Sequence, residues 1–298
     1  MKKLASTHAL CILNPTAGGG KAAKRIRSEL QATFRAAEQT YDLVTTQQKG
    51  DGTRLSQQAA QEGYDLVIAI GGDGTVNEVA TGLIGASTAL GIIPAGSGNG
   101  LARGLRIPLA SHHACQLFLR PRIKAIDVGQ VCRRHFFATS GVGFDAHLGQ
   151  YYDQHVQHSR GFWPYVRFTL AEFFRYTPRP VQLHYQGQTW DYTPLLLTVA
   201  NVNQYGGGAK IAPRAVPDDG MFDISILPRL HPLTALWYAP RLFLGTLDTM
   251  PQFIHHRARS LTLTRPEPGP VHVDGEPFLA GPTLEYTLLP GALRVCVP

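Results

Sequence analysis

Apolar positions in the first 126 residues alternate between two rhythms. Short unbroken runs at His8–Leu13, Asp65–Ile70 and Ala89–Pro94 predict buried strands, and Thr40–Thr46 predicts another. Helical spacing fills the intervals. Lys21–Ala37 places Ala23, Ile26, Leu30 and Phe34 on one face, Thr53–Glu62 is a helix stopped by Gly63, and Val76–Leu83 is helical. A further helix opens at Gly100 and runs to about Leu105. Strand, turn and helix repeated in this way predict a doubly wound parallel sheet with helices on both faces.

The rhythm changes near Asp127. Period-two alternation predicts strands over His135–Thr139, Val181–Tyr185, Thr189–Tyr192, Leu195–Val202, Phe222–Leu227, Leu261–Thr264, Val271–Val273, Leu284–Leu288 and Leu293–Val297. Gln186-Gly187 has the composition of a hairpin turn. Two apolar or aromatic stretches, Phe162–Tyr176 and Leu233–Phe253, predict helices. The expected organisation is an α/β domain over 1–126 and a β-sandwich domain over 127–298.

Composition narrows the class. Charged residues make up 16% of the 298, well under the roughly 25% of an average domain, which excludes a charge-rich disordered chain. No apolar run approaches the about 18 residues of a membrane helix. Lys2 and Lys3 resemble the start of a signal peptide, but the apolar run Ala9–Leu13 is too short for one and ends at Asn14-Pro15. A cytoplasmic protein is therefore expected. Cys11, Cys115, Cys132 and Cys296 form no close pair and read as reduced thiols.

The net charge of +7 is uneven. Residues 1–126 carry 14 Lys and Arg against 8 Asp and Glu; the remainder carries 14 against 13. Basicity in the first half suits a polyphosphate or an anionic membrane surface. No Lys/Arg run exceeds two residues and no nucleic-acid-binding motif appears, so nucleic acid is not expected as a partner.

Three glycine-rich turns follow three of the predicted parallel strands. They are Asn14-Pro15-Thr16-Ala17-Gly18-Gly19-Gly20, Gly71-Gly72-Asp73-Gly74-Thr75 and Gly96-Ser97-Gly98-Asn99-Gly100. Glycine allows positive φ and close backbone approach. Each turn feeds a helix N-terminus, whose N–H groups favour an anion, and doubly wound sheets bind ligands at the C-terminal strand ends. The standard nucleotide fingerprints do not match. Gly20-Lys21 is followed by Ala22 rather than Ser or Thr, and Gly72-Asp73-Gly74 runs on to Asn77 where a third glycine belongs. Asp73 would repel a phosphate at short range. It makes sense if it holds Mg2+ on the phosphates or accepts the proton of an attacking hydroxyl.

These turns, with Asn77-Glu78, Pro94-Ala95, Gly207–Asp223 and His272-Val273-Asp274-Gly275-Glu276, resemble the diacylglycerol kinase catalytic-domain family over nearly the whole chain. That family includes bacterial soluble lipid kinases, sphingosine kinases and ceramide kinases. The resemblance implies an ATP site in a cleft between a nucleotide domain and a β-sandwich. It places Asn14, Thr16, Thr46, Gly72, Asp73, Gly74, Thr75, Glu78 and Ser97 around the nucleotide. It makes Glu276 or Asp73 the proton acceptor, and puts Asp145 near the lipid head. It also implies a structural Mg2+ held by the carbonyls of Val216 and Met221 and the side chain of Asp219. On its own, Asp218-Asp219-Gly220 reads equally as a cation-binding turn or a solvated one.

The implied reaction is ATP- and Mg2+-dependent phosphorylation of a lipid hydroxyl, of the diacylglycerol or the sphingoid and ceramide type. The lipid would be presented from a membrane or micelle, with peripheral contact at the inner face of the membrane. Gly-Ser-Gly-Asn leans toward the sphingosine and ceramide branch. Oligomeric state stays open, a homodimer included. The alternatives are an NAD kinase, which shares the Gly-Gly-Asp-Gly-Thr signature, a soluble sugar-phosphate kinase, and a non-catalytic lipid- or nucleotide-binding regulator. The aromatic stretch Phe162–Tyr176, with Arg160, Arg167 and Arg175, suits either acyl-chain contact or core packing. The pairs His112-His113 and His255-His256 lack metal-ligand spacing.

Overall fold

The structure, a computed structural model, describes residues 8–155, 169 and 171–298. They divide into two compact units. One takes the chain up to Val128 with Gly206–Gly208 and Pro290–Pro298; the other takes Gly129–Tyr205 and Ala209–Leu289. The stretch expected as one domain over 127–298 thus returns twice to the first unit.

The first unit is built on strands β1 (Ala9–Leu13), β2 (Tyr41–Thr45), β3 (Leu66–Gly71) and β4 (Ala89–Pro94). All pairings are parallel, in the order β2-β1-β3-β4. Strands β1, β3 and β4 are buried at every residue, which is why they read as continuous apolar runs. Helix α1 (Lys21–Ala36) buries the face expected of it. Ala23, Ile26, Leu30 and Phe34 share one core with Cys11, Ile68, Ile93 and Phe118. Helices α2 (Asp51–Gln61), α3 (Asp73–Gly82), α4 (Gly100–Gly104) and α5 (Ser111–Leu117) complete the unit. The chain steps from β1 outward to β2, then from β3 outward to β4 the other way. The direction of winding therefore switches between β1 and β3.

The second unit is a sandwich of two antiparallel sheets. One contains β12 (Ile254–Ala258), β11 (Phe222–Pro228), β10 (Pro194–Ala200), β7 (Thr139–Gly143), β14 (Gly269–Val273) and β15 (Glu276–Ala280), in that order. The other carries β13 (Ser260–Thr264), β8 (Val181–Tyr185) and β9 (Gln188–Tyr192) beside the first part of β16 (Thr283–Val297). Leu197, Ile224 and Val271 from one sheet share a core with Leu183, Leu263 and Tyr286 from the other. The hairpin turn expected at Gln186-Gly187 is present, with φ of 50° and 73°. Helices α6 (Phe144–His155) and α7 (Pro232–Leu244) pack outside the sheets.

Several elements differ from expectation. The strand expected over His135–Thr139 is two, β6 (Arg134–Phe136) and β7. It breaks at Phe137–Ala138 because their N–H groups turn away to a carboxylate described below. The strands expected over Leu284–Leu288 and Leu293–Val297 are one. Where the strand turns, Gly291 has φ 59° and donates its N–H to Asp127 at 2.8 Å. The helix expected over Leu233–Phe253 stops at Gly245, whose φ of 76° ends it in a left-handed cap. Strands β5 (Arg122–Val131), β12 and β15 and helices α5 and α6 had no expectation. Of the helix expected over Phe162–Tyr176, residues 171–175 are helical and most of the remainder lies outside the described residues. The four cysteines are free, three of them buried, and burial pushes the Cys115 thiol up to about 12 and Cys296 to about 11.

Candidate functional site

The C-terminal ends of the four parallel strands gather most of the expected nucleotide residues. Asn14 follows β1, Thr46 follows β2, Gly72 follows β3 and Ser97 lies just beyond β4. Asn14 is the organiser. Its Nδ2 donates to Thr75 Oγ1 at 3.1 Å, and its Oδ1 accepts the N–H of Thr16 at 3.0 Å and the Thr16 hydroxyl at 2.8 Å. Thr46 donates its N–H to the Leu13 carbonyl at 3.0 Å. Ser97 is exposed at the loop tip.

The first turn uses glycine for its conformational freedom. Gly18, Gly19 and Gly20 all have positive φ, at 55°, 73° and 80°. The other two turns use it differently. Gly72 is extended, at φ −87°, and α3 starts at Asp73, three residues before the expected Val76. Gly-Gly-Asp-Gly-Thr is therefore a strand end and a first helical turn. The N–H groups of Asp73, Gly74 and Thr75 are helix N-terminal donors with no intrahelical partner. What these glycines supply is the absence of Cβ. A Cβ on Gly96 would lie 2.6 Å from the Gly72 Cα, and one on Gly98 would lie 2.7 Å from Asp73 Oδ2. The two turns pack backbone against backbone.

Asp73 locks that packing. Its Oδ2 accepts the Asn99 N–H at 2.8 Å and its Oδ1 accepts the Gly100 N–H at 2.6 Å. Asn99, in the left-handed region at φ 53°, closes its own loop. Its Oδ1 accepts the Gly96 N–H at 3.0 Å and its Nδ2 donates to the Gly96 carbonyl at 2.7 Å. The expected role of Glu78 meets a competing occupant. Its Oε1 accepts the Gly50 N–H at 2.8 Å and its Oε2 the Gly52 N–H at 3.0 Å, so it caps α2. Replacing Glu78 with Ala should cost about 1–3 kcal/mol by orphaning those two amides, read as a lower denaturant midpoint with unchanged slope.

In the second unit, Asp274-Gly275 is the two-residue turn joining β14 to β15, with φ of 48° and 86°, and Glu276 opens β15 half-buried. The Asp274 carboxylate accepts three successive amides, Phe137 at 2.9 Å, Ala138 at 2.8 Å and Thr139 at 3.0 Å. This is what interrupts the strand expected over His135–Thr139.

Asp145, expected at the lipid head, stands in the first turn of α6 with its carboxylate satisfied by protein groups. Tyr205 donates its hydroxyl at 2.6 Å, His272 Nε2 lies at 3.1 Å, and the Ala146 N–H donates at 2.8 Å. Tyr205 also bonds Thr198 Oγ1. Burial, the largest influence, pushes the Asp145 carboxyl up, but the His272 charge and the three hydrogen bonds together hold it below its ordinary range. Its stabilising contribution is therefore present above about pH 4 and lost as pH falls through the depressed value. Asp145→Asn should flatten the fall in unfolding free energy between pH 5 and pH 2, measured by urea titration at each pH.

The expected structural cation site is not supported by its residues. Asp219 Oδ1 accepts the Met221 N–H at 3.1 Å, and Oδ2 is paired with the Arg257 guanidinium. The charge that a divalent ion would need from Asp219 is already matched by the Arg257 guanidinium. In this arrangement the Asp219 carboxylate is not open to Mg2+. Among the described residues, no group of three or more His, Cys, Asp or Glu side chains is placed to hold a metal ion.

Residues 8–131 match the family model "Diacylglycerol kinase catalytic domain", and 138–297 match "YegS C-terminal NAD kinase beta sandwich-like domain". A "Probable lipid kinase YegS-like" of Pseudomonas fluorescens is 32% identical over 277 residues, covering 92% of this chain and 91% of the relative. One from Pectobacterium atrosepticum is 30% identical over 294 residues, covering 97% and 95%. The crystal structure of a diacylglycerol kinase from Bacillus anthracis superposes with a TM-score of 0.75 at 24% identity, covering 99% of this chain and 98% of that one, a likeness of fold.

Proposed function

Because the chain belongs to the diacylglycerol kinase catalytic-domain family, we propose that it is an ATP-dependent kinase that phosphorylates a lipid hydroxyl. The observation that carries this reading is the cluster of strand-end turns around the β1/β3 switch, joined by Asn14 to Thr75 and by Asp73 to Asn99 and Gly100. In this reading the triphosphate lies across the N-termini of α1 and α3, whose first amides lack intrahelical partners. Mg2+ bound with the nucleotide would neutralise phosphate charge. Asp73 suits such an ion, since each of its oxygens accepts one amide and keeps a second acceptor position.

The acceptor hydroxyl attacks the γ-phosphorus, the bond to the ADP oxygen breaks, and a phosphate monoester forms. The hydroxyl proton passes to a carboxylate. We assign the proton to Asp73 or Glu276, the two carboxylates that the family resemblance puts forward, and it passes onward to solvent. Asp145 acts through Tyr205 and His272 rather than by touching lipid. The enzyme works peripherally at the cytoplasmic membrane face, where its acceptor lies. Among the described residues no helix is long and apolar enough to cross a membrane.

A second reading, transfer to NAD, is favoured by the NAD kinase-like description of the second domain and by Gly71–Thr75. One assay separates them. Purified protein with labelled ATP and Mg2+ is offered mixed micelles of diacylglycerol, monoacylglycerol, sphingosine and ceramide, with NAD in a parallel reaction. Label in a chloroform-extractable monoester supports the lipid reading and names the acceptor. Label only in NAD, or in neither, overturns it.

A further inference from the structure

Helix α7 presents apolar side chains on two opposite faces. Ala235, Tyr238 and Leu242 point inward, to a core that includes Phe144, Leu247 and Met250. On the other side Leu233 is 71% exposed, Trp237 77% and Leu244 70%. Spaced four and eleven residues along the helix, these three fall within a stripe about 40° wide at 100° per residue. Phe243 is also exposed beside it. An amphipathic helix on a soluble protein ordinarily turns polar residues to this side.

Along the helix and its flanks in the chain the charge has one sign. From Arg229 to Leu247 the sequence contains Arg229, His231 and Arg241 and no Asp or Glu. Arg229 is exposed just before the helix, and Arg241 flanks the stripe with its guanidinium over the Tyr238 ring. The next acid, Asp248, is paired with Arg214 at 2.9 Å. An exposed aromatic and aliphatic stripe with a basic margin matches the boundary between anionic headgroups and acyl chains. A second copy fits less well, since a two-fold contact through this face would bring Arg229 and Arg241 of each copy toward those of the other.

We propose that the outer face of α7, through Leu233, Trp237 and Leu244, docks the protein on an anionic phospholipid bilayer. The use of that surface in catalysis rests on the lipid-acceptor reading; the surface itself does not. The test is co-sedimentation with vesicles of phosphatidylcholine containing about one third phosphatidylglycerol. Wild type should bind these vesicles, and at least tenfold more weakly to phosphatidylcholine alone. Leu233→Glu/Trp237→Glu should lower binding at least tenfold, and Leu233→Ala/Trp237→Ala should lower it severalfold. Both variants should keep the wild-type thermal midpoint and the wild-type rate on a short-chain acceptor dispersed as monomers.

Equal vesicle binding by wild type and both variants would overturn the proposal, whatever the kinase assay shows. So would light scattering that finds a wild-type dimer which the glutamate variant dissociates. Vesicle binding that the variants lose would uphold the docking face even if no lipid were labelled, in which case the kinase reading alone would fail.

Discussion

Asp73→Asn is expected to lower phosphoryl transfer by about two to three orders of magnitude, the range found when one electrostatic element of a preorganised site is removed. The carboxylate has two oxygens, each accepting a backbone amide from the Gly96–Gly100 turn. An amide in its place keeps one acceptor and turns an NH2 toward the other N–H. One charge-assisted bond is lost, a donor faces a donor, and the negative charge that would favour a cation on the phosphates disappears. The stability cost should be about 1–3 kcal/mol, too small to unfold a typical domain. The checks are initial rate at saturating ATP and a far-ultraviolet circular dichroism spectrum. A near-normal rate in a folded variant would remove Asp73 from the site. Gly98→Ala provides a second handle, because its Cβ would press on Asp73 Oδ2 without changing any charge.

Asp274→Ala should produce the largest stability loss. Phe137, Ala138 and Thr139 would lose their shared acceptor at once, and each orphaned amide costs about 1–3 kcal/mol unless water reaches it. Alanine also resists the φ of 48° at this position. The sum approaches the whole stability of a typical domain. Asp274→Asn should be far milder. Asparagine tolerates the left-handed conformation, and one oxygen can still accept from Ala138 and Thr139, which share Oδ1 in the native chain. Denaturant unfolding of the two variants is the measurement. Equal losses would mean that the carboxylate nest does not hold the β6–β7 break.

The parts of this molecule that were legible in the sequence are those whose causes are local. Leu66–Ile70 reads as a buried strand because every side chain in it is apolar, and the four buried positions of α1 follow its helical period. The three glycine turns could be found because each directly follows such a strand. Where the cause is distant, the sequence was mute. Glu78 was placed at the nucleotide by the family resemblance alone, and its cap on α2 was not legible because Gly50 and Gly52 lie more than 25 residues earlier. Asp274 accepts amides from the 137–139 segment, and no local pattern announces that distance, although Asp-Gly between apolar residues is itself a hairpin signal. Tyr205 was not singled out and His272 appeared only within the family motif, because only the fold brings them to Asp145. Glycine in these turns was expected to serve positive φ or close approach; the second and third turns use only the close approach, and which role applies requires knowing what faces them. A helix apolar on all sides, as α7 is, ordinarily reads as buried, and only the fold shows that its Trp237 side is open.

The central claim is that the strand ends of the parallel sheet hold the nucleotide. Amide hydrogen exchange with and without MgATP tests it residue by residue. The account predicts added protection concentrated at Gly18–Lys24, Gly72–Val76 and Gly96–Gly100, reduced or absent in Asp73→Asn. Protection lying elsewhere, with these three segments unchanged at saturating nucleotide, would contradict it.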